Sequence, residues 1–302
     1  MPKVVIVGSL ALDDVKTPFG EVTGALGGSA TFASIACSLF SEPGIVGVIG
    51  DDFPKEHLEL FKSKGINLEG IETKKGEKTF HWKGSYGLDL NIANTLKTDL
   101  NVLETFEPKL PDSYKDADFL FLGNIDPEQQ LSVLNQMNKR PGLVVADTMN
   151  LWIDHKKEKV LEVVKKVDLA LMNDGEARQL FNTSNLVKAS QEILNLDSKV
   201  AMIKKGEHGC IMFSKDSHFS CPGYPLQDVK DPTGSGDSFG GTLIGYLAKT
   251  NDFSEANMRK AIVFASSVAS FNAEDFSVEK LKTLTMKDVD SRYKEFEEFV
   301  KF

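Results

Sequence analysis

Cysteine is scarce in this chain. Cys37, Cys210 and Cys221 are the only three in 302 residues, and their spacing matches no metal-binding pattern. That excludes a disulfide scaffold and suits small buried side chains in a reducing compartment. Long apolar runs are missing too, so no stretch reaches membrane-spanning length. Only Val4 to Val7 separate Met1-Pro2-Lys3 from Gly8, a strand rather than a signal sequence, and the expected location is cytoplasmic. Basic charge is in short supply: 35 Lys and Arg stand against 44 Asp and Glu, a net charge of -9. A nucleic-acid or anionic-membrane surface needs clustered cations and is therefore not expected. No Gly-Lys dipeptide occurs, which rules out a Walker A loop, and neither Asp-Phe-Gly nor His-Arg-Asp is present, which rules out a protein kinase. Gly8-Ser9-Leu10-Ala11-Leu12-Asp13 follows the first strand where a dinucleotide fold would need Gly-x-Gly-x-x-Gly.

What is present centres on Asp231-Pro232-Thr233-Gly234-Ser235-Gly236-Asp237, followed by apolar Phe239, Leu243, Ile244 and Leu247 at helical spacing. The spacing predicts a helix from about Gly236 or Asp237 with a glycine turn before it. Free N–H groups at such a start, with the macrodipole behind them, attract an anion. Asp237 itself cannot bind phosphate. It either complements the dipole or serves as a general base toward an attacking hydroxyl.

The rest alternates strand, loop and helix. Apolar runs at Val4–Val7, Ile45–Ile49, Phe119–Leu122, Leu143–Ala146, Leu169–Met172 and Val200–Ile203 read as buried strands of a mainly parallel sheet, whose ligand groups emerge at the C-terminal strand ends. Asp13, Asp14, Asn124, Asp126, Asp147 and Asn150 fall at such ends or just beyond them. Gly27-Gly28 opens a small-residue helix and lets a ligand approach the backbone. Residues 79–104 change character: Thr79 to Tyr86 interleaves aromatics, and Asn91 to Val102 is rich in Thr and Asn, so both predict strands of a small exposed sheet. Phe80, His81 and Trp82 there face either a ligand or their own thin core. Asn173 and Glu176 have the spacing of a capping box. Lys204-Lys205-Gly206 ends a strand with a cationic turn suited to phosphates or to solvent.

The Asp231 to Asp237 motif resembles the C-terminal signature of the ribokinase-like (PfkB) family of carbohydrate and nucleoside kinases, and weaker signatures extend the resemblance from Gly8 to Phe276. It implies one α/β domain over 1–302, a three-layer α/β/α fold with a small β-sheet lid formed by inserted segments at about 13–24 and 76–104. It implies phosphorylation of a primary hydroxyl by ATP and Mg²⁺, with Asp237 as catalytic base and Gly234, Ser235 and Gly236 as the anion hole. Asp13, Gly27 and Gly28, with Asp14 and Asn124 beside them, would hold the acceptor. Asn173, Lys205, Gly206, Thr233, Gly234 and Gly236 would hold the nucleotide. Asn173 and Glu176 would order Mg²⁺ largely through water, and Asp231 is a candidate for K⁺. Departures exist: Ser29 and Phe32 replace the Lys and Asn that follow the Gly-Gly pair in ribokinases, and Lys204 replaces the usual Thr. Phe32, Trp152 and the aromatic lid would suit stacking on a base, which favours a nucleoside over a sugar. A non-catalytic nucleotide-binding regulator of the same fold is the alternative from another class. The resemblance implies a monomer or a homodimer through the lid.

Overall fold

The computed structural model describes residues 2–301. Strand β1 (Val4–Val7) lies inside a nine-stranded sheet. On one side of it come β4 (Pro43–Gly50) and β5 (Asn67–Lys74); on the other come β8 (Phe119–Leu122), β9 (Leu143–Asp147), β10 (Leu169–Asn173) and β11 (Val200–Lys204), all parallel. Two antiparallel strands, β12 (Cys210–Ser214) and β13 (His218–Cys221), complete the far edge. The sequence reading did not foresee them, because an antiparallel edge of four or five mixed residues lacks the continuous apolar run of a strand covered on both faces.

Successive residues of the central strands point to opposite faces, and both faces are covered. Val4, Ile6, Phe119, Phe121 and Leu171 join one core with α1 (Ser29–Cys37), α7 (Ser235–Thr250) and α8 (Glu255–Ala273). Val5, Val7, Leu120, Leu122 and Met172 join the other with α4 (Asn150–Lys166), α5 (Asp174–Phe181) and α6 (Leu186–Asn195). These are the expected three layers. The remaining helices are α2 (Lys55–Ser63), α3 (Pro127–Gln136), α9 (Glu279–Thr283) and α10 (Met286–Phe299).

A second sheet has the order β3 (Gly20–Gly27), β2 (Ala11–Thr17), β6 (Phe80–Tyr86), β7 (Ala93–Asp99). Its first segment is longer than the expected 13–24 at both ends. Its second ends sooner than the expected Asn91 to Val102 strand: Asn101 takes φ 47 and starts a short 3₁₀ turn, Asn101–Leu103, that buries Val102 completely in the main core.

The start of α7 is set by close packing of small residues. Gly240 faces Phe121, Gly245 faces Cys37, and a Cβ on Gly241 would overlap the Ala33 carbonyl of α1. The two helices therefore meet almost backbone to backbone. Gly241→Ala should destabilise the protein by about 1–3 kcal/mol despite alanine's better helix propensity. Gly142→Ala, whose Cβ would meet its nearest neighbour at 3.5 Å, should be near neutral. Urea melts of both variants check this, and equal midpoints would contradict it.

Candidate functional site

The loop before α7 is held from below. Asp231 is fully buried, and its carboxylate accepts the Thr233 N–H at 2.9 Å and the Ser277 N–H at 3.2 Å. Asn272, in the last turn of α8, donates to the Thr233 carbonyl at 2.8 Å and to Ser235 Oγ at 3.2 Å, and its own oxygen lies 3.3 Å from Ser238 Oγ. Gly234 takes φ 76 and caps α7 without a side-chain hydrogen bond; the Ser235 N–H is taken by the Pro232 carbonyl at 3.1 Å, and the Gly236 N–H stays open among the described residues. The helix begins at Ser235, one residue before the range the periodicity predicts. The two glycines also make room for the protein itself. A Cβ on Gly234 would penetrate the Phe32 ring, and one on Gly236 would lie 2.9 Å from Lys204 Nζ. Phe32 is only 2% exposed in this packing, which corrects the expectation that it stacks on a base.

Asp237 stands in the first turn of α7 and keeps part of its surface open. Burial and the Asp147 charge push its carboxyl up to about 7, against a lowering pull from Lys204. Asp147, at the end of β9, pairs with Lys204, at the end of β11: Nζ lies 2.6 Å from Oδ2, with the side chains 4% and 16% exposed. Glu176 is the third carboxylate. It closes a complete capping box with Asn173, accepting the Asn173 N–H and side-chain amide at 2.7 Å each while Asn173 Oδ1 takes the Glu176 N–H at 2.8 Å. Burial first, and Asp147 next, push its carboxyl up to about 8.

The small sheet faces this group with one side only. Along β2, Asp13 is buried and Asp14 points to the opposite face. A Cβ on Gly27 would overlap the Asp13 carboxylate, and Asp13 Oδ1 has no hydrogen-bond partner. Burial raises its pKa well above the ordinary value, aided by the charges of Asp231, Asp237 and Asp14. Gly28, at φ 97, packs against the Ser9 carbonyl where α1 begins. Tyr86 of β6 sits 3.0 Å from Thr233 Oγ1, so the inner face of the small sheet touches the motif directly.

Other expected residues are engaged elsewhere. Asp14 accepts the Gly24 N–H at 2.9 Å and lies 3.3 Å from His81, away from Asp13. His81 thereby belongs to the outer face. Trp82 pairs with Asp13 in the register of β2 and β6 and so lies on the inner face, where it folds over Gly84 and donates to Thr95 at 3.2 Å. Asn124 accepts from Trp152 Nε1 at 2.8 Å and contacts Met149, fixing the indole rather than standing free. Lys205 donates its N–H to Gly209 at 2.7 Å, and Gly206, at φ 54, is covered by Asn91 from the loop between β6 and β7. Asn91 also bonds the backbone and side chain of Glu207.

The structure thus brings Asp13, Gly27, Gly28, Asn173, Glu176, Thr233 and the Gly234 to Asp237 turn together. It turns Asp14 away and covers Gly206 with Asn91. The Lys204–Asp147 pair, Asn272 and Tyr86 escape sequence reasoning. A lysine ending the apolar run Val200–Ile203 was the available signal, since a strand end between two buried strands cannot be a solvent-facing one.

Comparisons with known proteins agree with this geometry. The pattern of the pfkB family carbohydrate kinase matches residues 1–283. A cytidine kinase of Thermococcus kodakarensis is 29% identical over 252 residues, covering 82% of this chain and 89% of that protein. A ribokinase of Lactococcus lactis is 25% identical over 289 residues, covering 91% of this chain and 93% of that protein. Among solved structures, a putative ribokinase II from E. coli in complex with ATP and Mg²⁺ superposes with a TM-score of 0.80 at 16% identity, over 98% of this chain and 100% of that one. A Burkholderia thailandensis nucleoside kinase in complex with inosine gives 0.79 at 18% identity, over 97% of each chain. These two likenesses show a shared fold. With the family pattern spanning all but the last stretch of the sequence, and with the uncapped helix start and its aspartate in place, the chain belongs to the pfkB family of carbohydrate kinases.

Proposed function

We propose that the protein transfers the γ-phosphoryl group of ATP to the primary hydroxyl of a small sugar or nucleoside, with Asp237 as general base. The observation that carries this reading is the position of Asp237: a carboxyl raised to about 7, beside helix amides that no side chain caps. A base poised near neutral pH is half ionised where it must accept a proton. In the step, the acceptor O–H gives its proton to Asp237 and its oxygen forms the new bond to phosphorus. The Pγ–O bond to the β-phosphate breaks and the electron pair leaves with ADP. The Gly234, Ser235 and Gly236 backbone stabilises the oxygens of the moving group.

Asp13, buried with one oxygen unpartnered, has the free acceptor that a sugar hydroxyl would satisfy, and Gly27 and Gly28 shape the floor beside it. The small sheet acts as a lid, its Tyr86 already bonded to Thr233, and excludes water from the transfer. Among the described residues no three acidic, histidine or cysteine side chains form a cluster able to grip a metal directly. Glu176, with both oxygens bonded to Asn173, fits Mg²⁺ held through its waters, where the ion would offset the charge of the donor phosphates. Asp231 fits a K⁺ site poorly, because both of its oxygens already accept backbone N–H groups.

Nucleoside as acceptor is favoured by Trp152, partly exposed and oriented by Asn124, and by the likeness to the Thermococcus cytidine kinase. A panel of nucleosides, ribose and fructose assayed with ATP and Mg²⁺ should show the highest kcat/KM on a nucleoside. A preference for free sugars would overturn the choice.

Asp237→Asn should fold, bind ATP, and lose phosphoryl transfer by several orders of magnitude. Unchanged turnover would overturn the base assignment and leave the non-catalytic regulator as the better reading. Because the base must be ionised, kcat/KM should fall about tenfold per unit as pH drops below about 7. Stability runs the other way. The folded-state pKa lies above the ordinary 3.8, so the folded chain holds a proton that the unfolded chain has lost, and stability declines as pH rises from 3.8 to about 7. Asp237→Asn should remove part of that decline, raising stability at pH 8 by on the order of 1 kcal/mol after allowing for solvent screening. Denaturant melts at pH 5 and pH 8 check it; a variant less stable than the parent at pH 8 would contradict it.

A further inference from the structure

Three carboxylates, Asp147, Glu176 and Asp237, converge where the sheet's C-terminal strand ends meet α7, and Lys204 is the one cation that acts on all three. An incoming triphosphate would add more negative charge to this place. Helix amides carry only partial charge, equivalent to roughly half a proton for the whole helix end. Something must offset the remainder beside the transferring group.

Lys204 has the position for it. It ends β11, and its 16% exposed side chain runs up to the first turn of α7. Nζ sits 2.9 Å from where a Cβ of Gly236 would be, so this glycine is what allows an ammonium to lie against the helix start. An ammonium has three N–H donors. Lys204 uses one, toward Asp147 Oδ2 at 2.6 Å, and no other hydrogen bond from Nζ is made among the described residues. On a side chain that keeps some exposure, the remaining donors are open to water or to a ligand's oxygens. Asp147 is itself held, accepting the Thr148 N–H at 3.0 Å, so the pair is anchored and the free donors point from a fixed base. The neighbouring Lys205 closes the turn through its backbone N–H to the Gly209 carbonyl, whereas Lys204 is the lysine whose ammonium is fixed at the helix start.

We propose that Lys204 is a further catalytic residue, whose ammonium, anchored by Asp147, contacts the γ-phosphoryl oxygens as the group passes from ATP to the acceptor. This rests on the kinase reading above. Lys204 keeps its proton throughout: the acceptor's proton goes to Asp237, the electron pair of the broken Pγ–O bond leaves with ADP, and the ammonium only balances charge on the moving group. Asp147 is a positioning residue that keeps the ammonium at the helix start. The arrangement also assigns a use to the lysine that stands where the resembled signature has threonine: a full charge takes the place of a neutral hydroxyl beside Asp147.

The bland alternative is that Lys204 exists only to neutralise buried Asp147. The variants Lys204→Met and Lys204→Met with Asp147→Asn separate the two. The single change leaves Asp147 buried without its partner and is expected to lose stability; the double change removes both charges together and should fold. Two readouts are needed on the double variant: steady-state turnover, and affinity for ADP with aluminium fluoride, a mimic of the transferring phosphoryl, against ADP alone. The proposal expects kcat to fall about 10²–10³-fold, the range for losing one such donor. It expects acceptor KM and ADP affinity to stay within about threefold, and the tighter binding of the aluminium fluoride complex to be lost. Turnover of the double variant within threefold of the parent, or an undiminished advantage of the mimic over ADP, would overturn it. Parent protein that phosphorylates no sugar or nucleoside would instead overturn the kinase reading itself, so the two failures are told apart.

Discussion

Negative charge gathered at a helix start that the protein leaves uncapped is the constraint on which this structure turns. A helix N-terminus ordinarily receives a serine, threonine or aspartate cap. Here the cap is Gly234, in a left-handed conformation with no side chain, and of the amides behind it Ser235 N–H turns back to the Pro232 carbonyl while Gly236 N–H stays available among the described residues. At the same place burial, and after it the charge of Asp147, raises the affinity of Glu176 and Asp237 for protons. Such a group is stable only with a cation among it, and Lys204 occupies that position through a 2.6 Å ion pair. The site is thus built at a cost in stability, which is common where chemistry needs perturbed carboxyls.

The remainder of the fold keeps that arrangement rigid. Glycines 240, 241 and 245 bring α7 against Phe121, α1 and Cys37. Phe32 fills the space under Gly234, and Asn272 and Asp231 fix the loop from the side of α8. None of these touches the open face of the helix start. Across from it, the small sheet reaches over through two contacts of different kind: Tyr86 on Thr233, and Asn91 on the turn at Gly206 and Glu207. Joined at both places, the small sheet spans from the Asp231 to Asp237 loop to the turn after β11.

Much of this was readable before any coordinates, for physical reasons that differ by element. Strands covered on both faces, such as Val4–Val7 and Phe119–Leu122, announce themselves as apolar runs, and the capping box of Asn173 and Glu176 follows from local spacing. The motif around Asp237 is local too. What local pattern could not give was partnership over distance. Lys204 and Asp147 are 57 residues apart, and they become a pair only because their strands end side by side across β10 in the folded sheet. Phe32 looked like a surface for a base because its neighbour Gly234 lies two hundred residues on. Asp13 and Asp14 are indistinguishable in sequence until the strand's alternation sends one inward and the other toward His81. The antiparallel edge β12–β13 went unread because its residues are mixed in polarity.

The central claim is that Asp237 titrates near neutral pH in the folded protein, so that it can accept a proton from a hydroxyl at the helix start. Carbon-detected NMR of protein labelled at the aspartate side-chain carboxyl, with Asp237→Asn used to assign the resonance, measures this directly. A midpoint near 7 in the ligand-free protein is the predicted result. A midpoint at the ordinary aspartate value of 3.8 would contradict the account.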